Sequence, residues 1–190
     1  MRRRIAVSRL LIEVRQVGLS QPAVHRTIVI IDVENFGDPA RTNTNQLAVR
    51  EGMYEALRQS FAQAGISWDS CVAEDRGDGV MVLVSPEVPK SWLVSVVPIR
   101  LAAMLAEHNA ACEVQERIRL RMALHAGEVH RDAHGWAGAS LNRAFRLIDA
   151  PACREALRGS SGFLRTQGYW PQAQALHRIA LNTARLVDDR

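Results

Sequence analysis

Apolar residues first gather in Thr27-Ile28-Val29-Ile30-Ile31, a β-branched run without polar alternation. A run apolar on both faces predicts a central strand covered on both sides. It gives way to Asp32-Val33-Glu34-Asn35-Phe36-Gly37-Asp38-Pro39, a polar stretch whose Gly and Pro predict a loop. From about 45 to 64, Leu47, Tyr54, Leu57, Phe61 and Ala64 recur at helical spacing, which predicts a helix with one apolar face that stops at Gly65. A strand near 70–74, a charged turn and a strand over 80–84 follow, close enough to pair as a hairpin. Pro86 and Pro89 separate these from a second helix over 91–108, which carries Leu93, Val97, Leu101, Met104 and Leu105 and is expected to kink at Pro98. Between Arg117 and Leu124 the chain alternates: Ile118, Leu120, Met122 and Leu124 on one face, Arg117, Arg119 and Arg121 on the other. That is the pattern of a half-buried strand. The His- and Gly-rich HAGEVHRDAHGWAG reads as a loop, and 139–149 as a helix. A weak segment near Phe163, a turn at 168–171 and a helix over 173–186 complete the pattern.

The order β-α-β-β-α-β-α predicts an α/β (α+β) sandwich of the ferredoxin-like βαββαβ kind, with helices on a mostly antiparallel sheet. Residues 1–24 read as an N-terminal extension ending in a polar, proline-containing linker, 25–160 as the body of the domain, and 161–190 as its divergent C-terminal segment.

Composition adds a few constraints. The chain has 190 residues, 47% hydrophobic, enough for one domain with a core of its own. The net charge is +4 and Lys90 is the only lysine, but the arginines are scattered rather than grouped. That argues for a basic surface, not a nucleic-acid partner. Cys71, Cys112 and Cys153 show no CxxC or finger spacing, so free, buried thiols in a reducing, cytoplasmic setting are expected. No run approaches the length of a membrane span, so no membrane partner is expected.

Two aspartates draw attention. Asp32 closes the first predicted strand, and Asp78 sits between Gly77 and Gly79 in AEDRGDGVMVLV. In a ferredoxin-like sheet the first strand lies beside the hairpin, so both carboxylates emerge at one edge. Adjacent carboxylates repel unless a cation lies between them. Oxygen ligands with open positions suit Mg²⁺ or Mn²⁺, which accept phosphate oxygens. The flanking glycines allow positive φ and give an anion room beside the backbone. Taken alone, Asp78 is an ordinary turn former.

A second pair lies in GASLNRAFRLIDA, where Asn142 and Arg146 are one helical turn apart. Leu141, Ala144, Phe145 and Ile148 are expected to face the core. An amide beside a guanidinium suits a ribose and a phosphate; a solvated helix face is the plain alternative. His130 and His134 share the same spacing, but no further ligand completes a zinc site.

Together, IIDVENFG, EDRGDGVMVLV, IRLRMALHAGEVHRD and GASLNRAFRL resemble, in order and spacing over about 26–150, the motifs of class III nucleotidyl cyclases. The resemblance implies a homodimer with sites at the subunit interface. It implies that Asp32, the Val33 backbone and Asp78 hold two Mg²⁺ or Mn²⁺ ions. Phe36, Gly77 and Gly79 would line the nucleoside triphosphate, and Asn142 and Arg146 would act on it from the other subunit. The expected products are a 3′,5′-cyclic nucleotide and pyrophosphate.

Two departures bear on the base. Glu74 stands where purine cyclases carry a lysine or glutamate, and Gly135 falls where adenylate cyclases carry an aspartate. Glu74 points away from ATP, and Gly135 offers no side chain. The family's later phosphate-binding lysine has no counterpart; Arg165 and Arg178 are the substitutes nearest in type. A pyrimidine nucleotide cyclase of phage-defence type and an inactive, nucleotide-sensing homologue therefore stand beside the active purine reading.

Overall fold

The computed structural model describes residues 22–150 and 166–167. Strand β1 (Val24–Val33) leads into helix α1 (Asn43–Gln63), then the hairpin β2 (Val72–Asp75) and β3 (Gly79–Val84). Helix α2 (Val97–Ala111), the long strand β4 (Leu120–Asp132), the short β5 (Gly135–Ala137) and helix α3 (Ala139–Asp149) follow, with a two-residue β6 (Thr166–Gln167). The sheet order is β2-β3-β1-β4-β5, and its pairs are antiparallel except for β6, which runs parallel to β4. This is the ferredoxin-like arrangement expected from the element order.

The β-branched run of β1 is central because both of its faces are buried. Val29, Ile31 and Val33 join Val80, Val82, Val84, Leu120, Met122 and Leu124 beneath α1 and α2. Ile28 and Ile30 join Met81, Leu83, Ala123 and Val129 beneath Leu141, Ala144 and Ile148 of α3. Strand parity thus divides the molecule into two layers of core, one on each side of the sheet.

Several expectations need correction. β1 begins at Val24, inside the segment read as an extension, and continues through Asp32 and Val33, so Asp32 lies within the strand. β4 does not stop at Leu124. It runs to Asp132, and the stretch read as a loop is a hairpin of β4 and β5. Its His and Gly residues mask a strand because β4 pairs with β1 along the full length of β1, which outweighs local propensity. On α1, Leu47 is 67% exposed, and the buried stripe is Val49, Met53, Leu57 and Phe61 at steps of four. Pro98 is the second residue of α2 and directly follows a π-helical turn over Trp92–Val96, within a helical stretch that is continuous from residue 90. Cys71 and Cys112 are free but only half-buried. Phe163, the turn at 168–171, the helix over 173–186, Cys153, Arg165 and Arg178 lie outside the described residues.

Candidate functional site

The register of β1 brings the two aspartates together. Asp32 is paired with Gly79 on one side and Arg121 on the other. One position further, the Val33 N–H donates to the carbonyl of Asp78 at 2.8 Å. Asp78 therefore sits opposite Val33, the last residue of β1, and its charge acts on Asp32.

Gly79 makes this approach possible, for a reason other than a positive φ. A Cβ at Gly79 would run into the carbonyl oxygen of Ile31 and lie 3.0 Å from the Asp32 Cα. The neighbouring atoms are backbone and cannot swing aside. Gly79→Ala should therefore destabilise the domain by at least about 2 kcal/mol, read as a lower midpoint in urea unfolding. Gly77 does need its glycine for conformation, with φ +86 in the turn.

Asp32 lies on the α3 side of the sheet and its carboxylate is bound by the Arg121 guanidinium. Burial pushes the Asp32 carboxyl up from its ordinary value; Arg121 opposes this, and the charges of Asp78 and Asp149 add to the rise. The Nε of Arg121 is buried and makes no hydrogen bond among the described residues. The alternation of β4 had placed Arg121 on the polar face, but nothing in the sequence identified it as the partner of Asp32. Next along both strands, Glu34 pairs with Arg119 at 3.0 Å. Phe36, in the loop after β1, is half-buried and packs against the core under α1 and α2.

The turn that carries Asp78 is tied to α1. Arg50 donates to the Gly77 carbonyl and, at 2.6 Å, to Asp75; Tyr54 donates to the same Asp75 oxygen at 2.5 Å. The Gly77 N–H donates to the other Asp75 oxygen at 2.8 Å. Burial raises the Asp75 carboxyl, but the hydrogen bonds from Arg50, Tyr54 and Gly77 outweigh it and hold the group at about 2. Burial, then the bond to Asp75, pushes the Tyr54 phenol up to about 12. The sequence does not single out Arg50 or Asp75, and Tyr54 reads there only as part of the helix's apolar face, since i, i+4 spacing on α1 does not show what the pair faces.

Glu74 and Gly135 also meet. A Cβ at Gly135 would lie 3.5 Å from a Glu74 carboxylate oxygen, although β2 and β5 are on opposite edges of the five-strand path. Gly135 has φ +129, a conformation that L side chains rarely adopt, so the position resists a side chain. Glu74 pairs with Arg76 at 2.8 Å, and the Arg76 guanidinium stacks on Phe145 of α3, 5.5 Å from the ring centroid.

Helix α3 turns Leu141, Ala144 and Ile148 inward and leaves Asn142 and Arg146 exposed. Phe145 is half-buried against the same core. Among the described residues, no hydrogen bond or ion pair joins Asn142 or Arg146 to Asp32 or Asp78. Arg143 faces His125, whose pKa is lowered first by burial and then by the Arg143 charge. The fold thus brings Asp32, Val33 and Asp78 together, brings Glu74 to Gly135, and keeps Asn142 and Arg146 apart on an outer helix face.

Among the described residues, no group of three or more His, Cys, Asp or Glu side chains is placed to hold a metal ion, and no helix is long and apolar enough to cross a membrane. No protein-family profile matches the sequence, and no curated protein matches it significantly. Solved structures do match the fold. The guanylyl cyclase Cya2 superposes with a TM-score of 0.54 at 16% identity, over 69% of this chain and 72% of that one. A bacterial light-regulated adenylyl cyclase gives 0.58 at 12% identity, over 82% of this chain and 45% of that longer one. An adenylate/guanylate cyclase/hydrolase from Silicibacter pomeroyi gives 0.51 at 18% identity, over 85% and 83%. At these identities the likeness is one of fold: this is a domain with the fold of nucleotidyl cyclase catalytic domains.

Proposed function

We propose that this domain converts a nucleoside triphosphate to a 3′,5′-cyclic nucleotide and pyrophosphate, at a site completed by a second copy of the chain. The observation that carries the reading is the meeting of Asp32 and Asp78 at one end of the sheet, with Arg121 beside them. Two neighbouring carboxylates suit Mg²⁺ or Mn²⁺, which take one or two carboxylates and leave positions for substrate phosphates. Asp32, Asp78 and the Val33 backbone would hold the two ions. When bound, these ions would polarise the ribose 3′-hydroxyl and neutralise charge on the triphosphate.

The chain's own side chains have separate tasks. Arg121 would fix the orientation of the Asp32 carboxylate and add positive charge where the triphosphate would lie, with its Nε making no hydrogen bond among the described residues. It supplies a cation that the missing lysine would otherwise have brought. Gly77 leaves room at the turn, Gly79 lets the β1 backbone approach it, and Phe36 borders the same end of the sheet. Asn142 and Arg146, exposed on α3, would reach the site of the partner subunit, the amide orienting the ribose and the guanidinium matching charge that develops during cyclisation. Glu74, with no side chain opposite it at Gly135, would carry the base contact from this strand.

The engagement of Glu74 by Arg76 favours a second reading, a dimeric nucleotide-binding module without turnover. The full chain, incubated with Mn²⁺ and each of ATP, GTP, CTP and UTP, should yield a cyclic nucleotide from at least one, identified by mass spectrometry. CTP or UTP as the productive substrate would select the pyrimidine form of the reading. Nucleotide binding by calorimetry with no product from any of the four would select the module instead.

A further inference from the structure

We infer that Gln46, Arg50 and Tyr54 of α1, the last two acting through Asp75, are positioning residues that hold the Asp78 turn and the loop after β1 in one fixed relation. The inference rests on the cyclase reading above and extends it to residues that no motif marks.

The three side chains are spaced at four-residue intervals and form one stripe on α1. Gln46 donates to the Phe36 carbonyl at 3.5 Å, which ties the stripe to the loop after β1. Arg50 spans the hairpin turn, with one nitrogen on the Gly77 carbonyl and the other on Asp75. Tyr54 completes Asp75. Both oxygens of Asp75 are therefore committed, one to α1 and one to the Gly77 N–H. The turn is closed on itself by the Arg76 N–H on the Gly79 carbonyl at 2.9 Å and on β1 by the Val33 N–H on the Asp78 carbonyl at 2.8 Å. Apart from the Gln46 bond, each of these goes to a residue of the Asp78 turn or to the Asp78 backbone, and none uses its carboxylate. The peptide is held on both sides while the side chain is left for a ligand.

The clamp contributes little to global stability, because Arg50 and Asp75 are 29% and 44% exposed and a pair so open to water is weak. Its effect is geometric. Groups that orient a metal-ligating carboxylate typically change metal affinity or activity by about 10–100-fold when removed. Arg50→Lys keeps the charge but loses the planar fork that spans Asp75 and Gly77. Tyr54→Phe keeps the ring and loses the hydroxyl.

The test uses the full chain and Mn²⁺ alone, with bound metal read by electron paramagnetic resonance and the 73–80 segment followed by amide hydrogen exchange. Each variant should weaken Mn²⁺ binding about tenfold. Each should also speed exchange in that segment and lower Tm by no more than about 4 °C. Unchanged Mn²⁺ affinity in both variants overturns the inference, as does a loss of affinity that tracks a larger fall in Tm, which marks a merely structural role. Asp78→Asn separates the two levels. If the wild type binds Mn²⁺, Asp78→Asn does not, and the clamp variants bind as wild type, the clamp alone fails. If the wild type binds no Mn²⁺, the cyclase reading fails and takes the clamp with it.

Discussion

Asp32→Asn and Asp78→Asn should each lower cyclic-nucleotide formation by about 10³-fold or more, a loss of about 4 kcal/mol of transition-state stabilisation. Each removes one of two carboxylates that β1 and the β2–β3 turn bring close enough for one charge to act on the other. The loss should come without unfolding. The Asp32 carboxyl is raised first by burial, so its proton is held more tightly in the folded chain than in the unfolded one. The stability this gives is present in full below the ordinary carboxylate value and is lost as pH rises through the raised one. Above the raised value the ionised Asp32 is held in the fold at a cost that Arg121 opposes but does not cancel. Asp32→Asn, which keeps an oxygen for Arg121 to bind, should leave Tm unchanged or raise it. Product formation and thermal unfolding measured on the same preparation check both halves. An Asp78→Asn protein with wild-type turnover would remove the basis for the two-carboxylate site.

Arg146→Ala should cost about 10³-fold in turnover. Arg143→Ala should leave it near wild type, because Arg143 lies near enough to His125 to lower its pKa, whereas Arg146 stands one turn from Asn142 and shares its face. The more telling result comes from mixing. Asp78→Ala and Arg146→Ala chains, each inactive, should recover about a quarter of wild-type activity when co-expressed, since half the dimers are mixed and each of those has one intact site of two. The exposure of Asn142 and Arg146 on the chain's own surface leads to this expectation. No recovery on mixing would place Arg146 and Asp78 in the same subunit's site and end the shared-site reading.

Much of this domain could be read from local pattern. The β-branched run at 27–31 is a doubly covered central strand, the alternation at 117–124 separates Ile118, Leu120, Met122 and Leu124 from the arginines, and Leu141, Ala144 and Ile148 turn inward on α3. These are consequences of backbone period, which each segment carries by itself. Where the chain departs from its local signals, a distant partner is the cause. β4 extends through a His- and Gly-rich stretch because β1 lies alongside it, and α1 buries Val49 and Met53 rather than Leu47 because the sheet meets that face.

The sequence by itself determined the layers, the faces and the types of residue available for chemistry, because period and side-chain character are local. Only the tertiary structure decided who meets whom: Asp32 with Gly79 and Arg121, Asp78 with Val33, Glu74 with Gly135, and Asp75 with Arg50 and Tyr54. Those meetings depend on strand register and on the rotation of a packed helix. Both are set by interactions between segments far apart in the chain, and no stretch of residues specifies them alone.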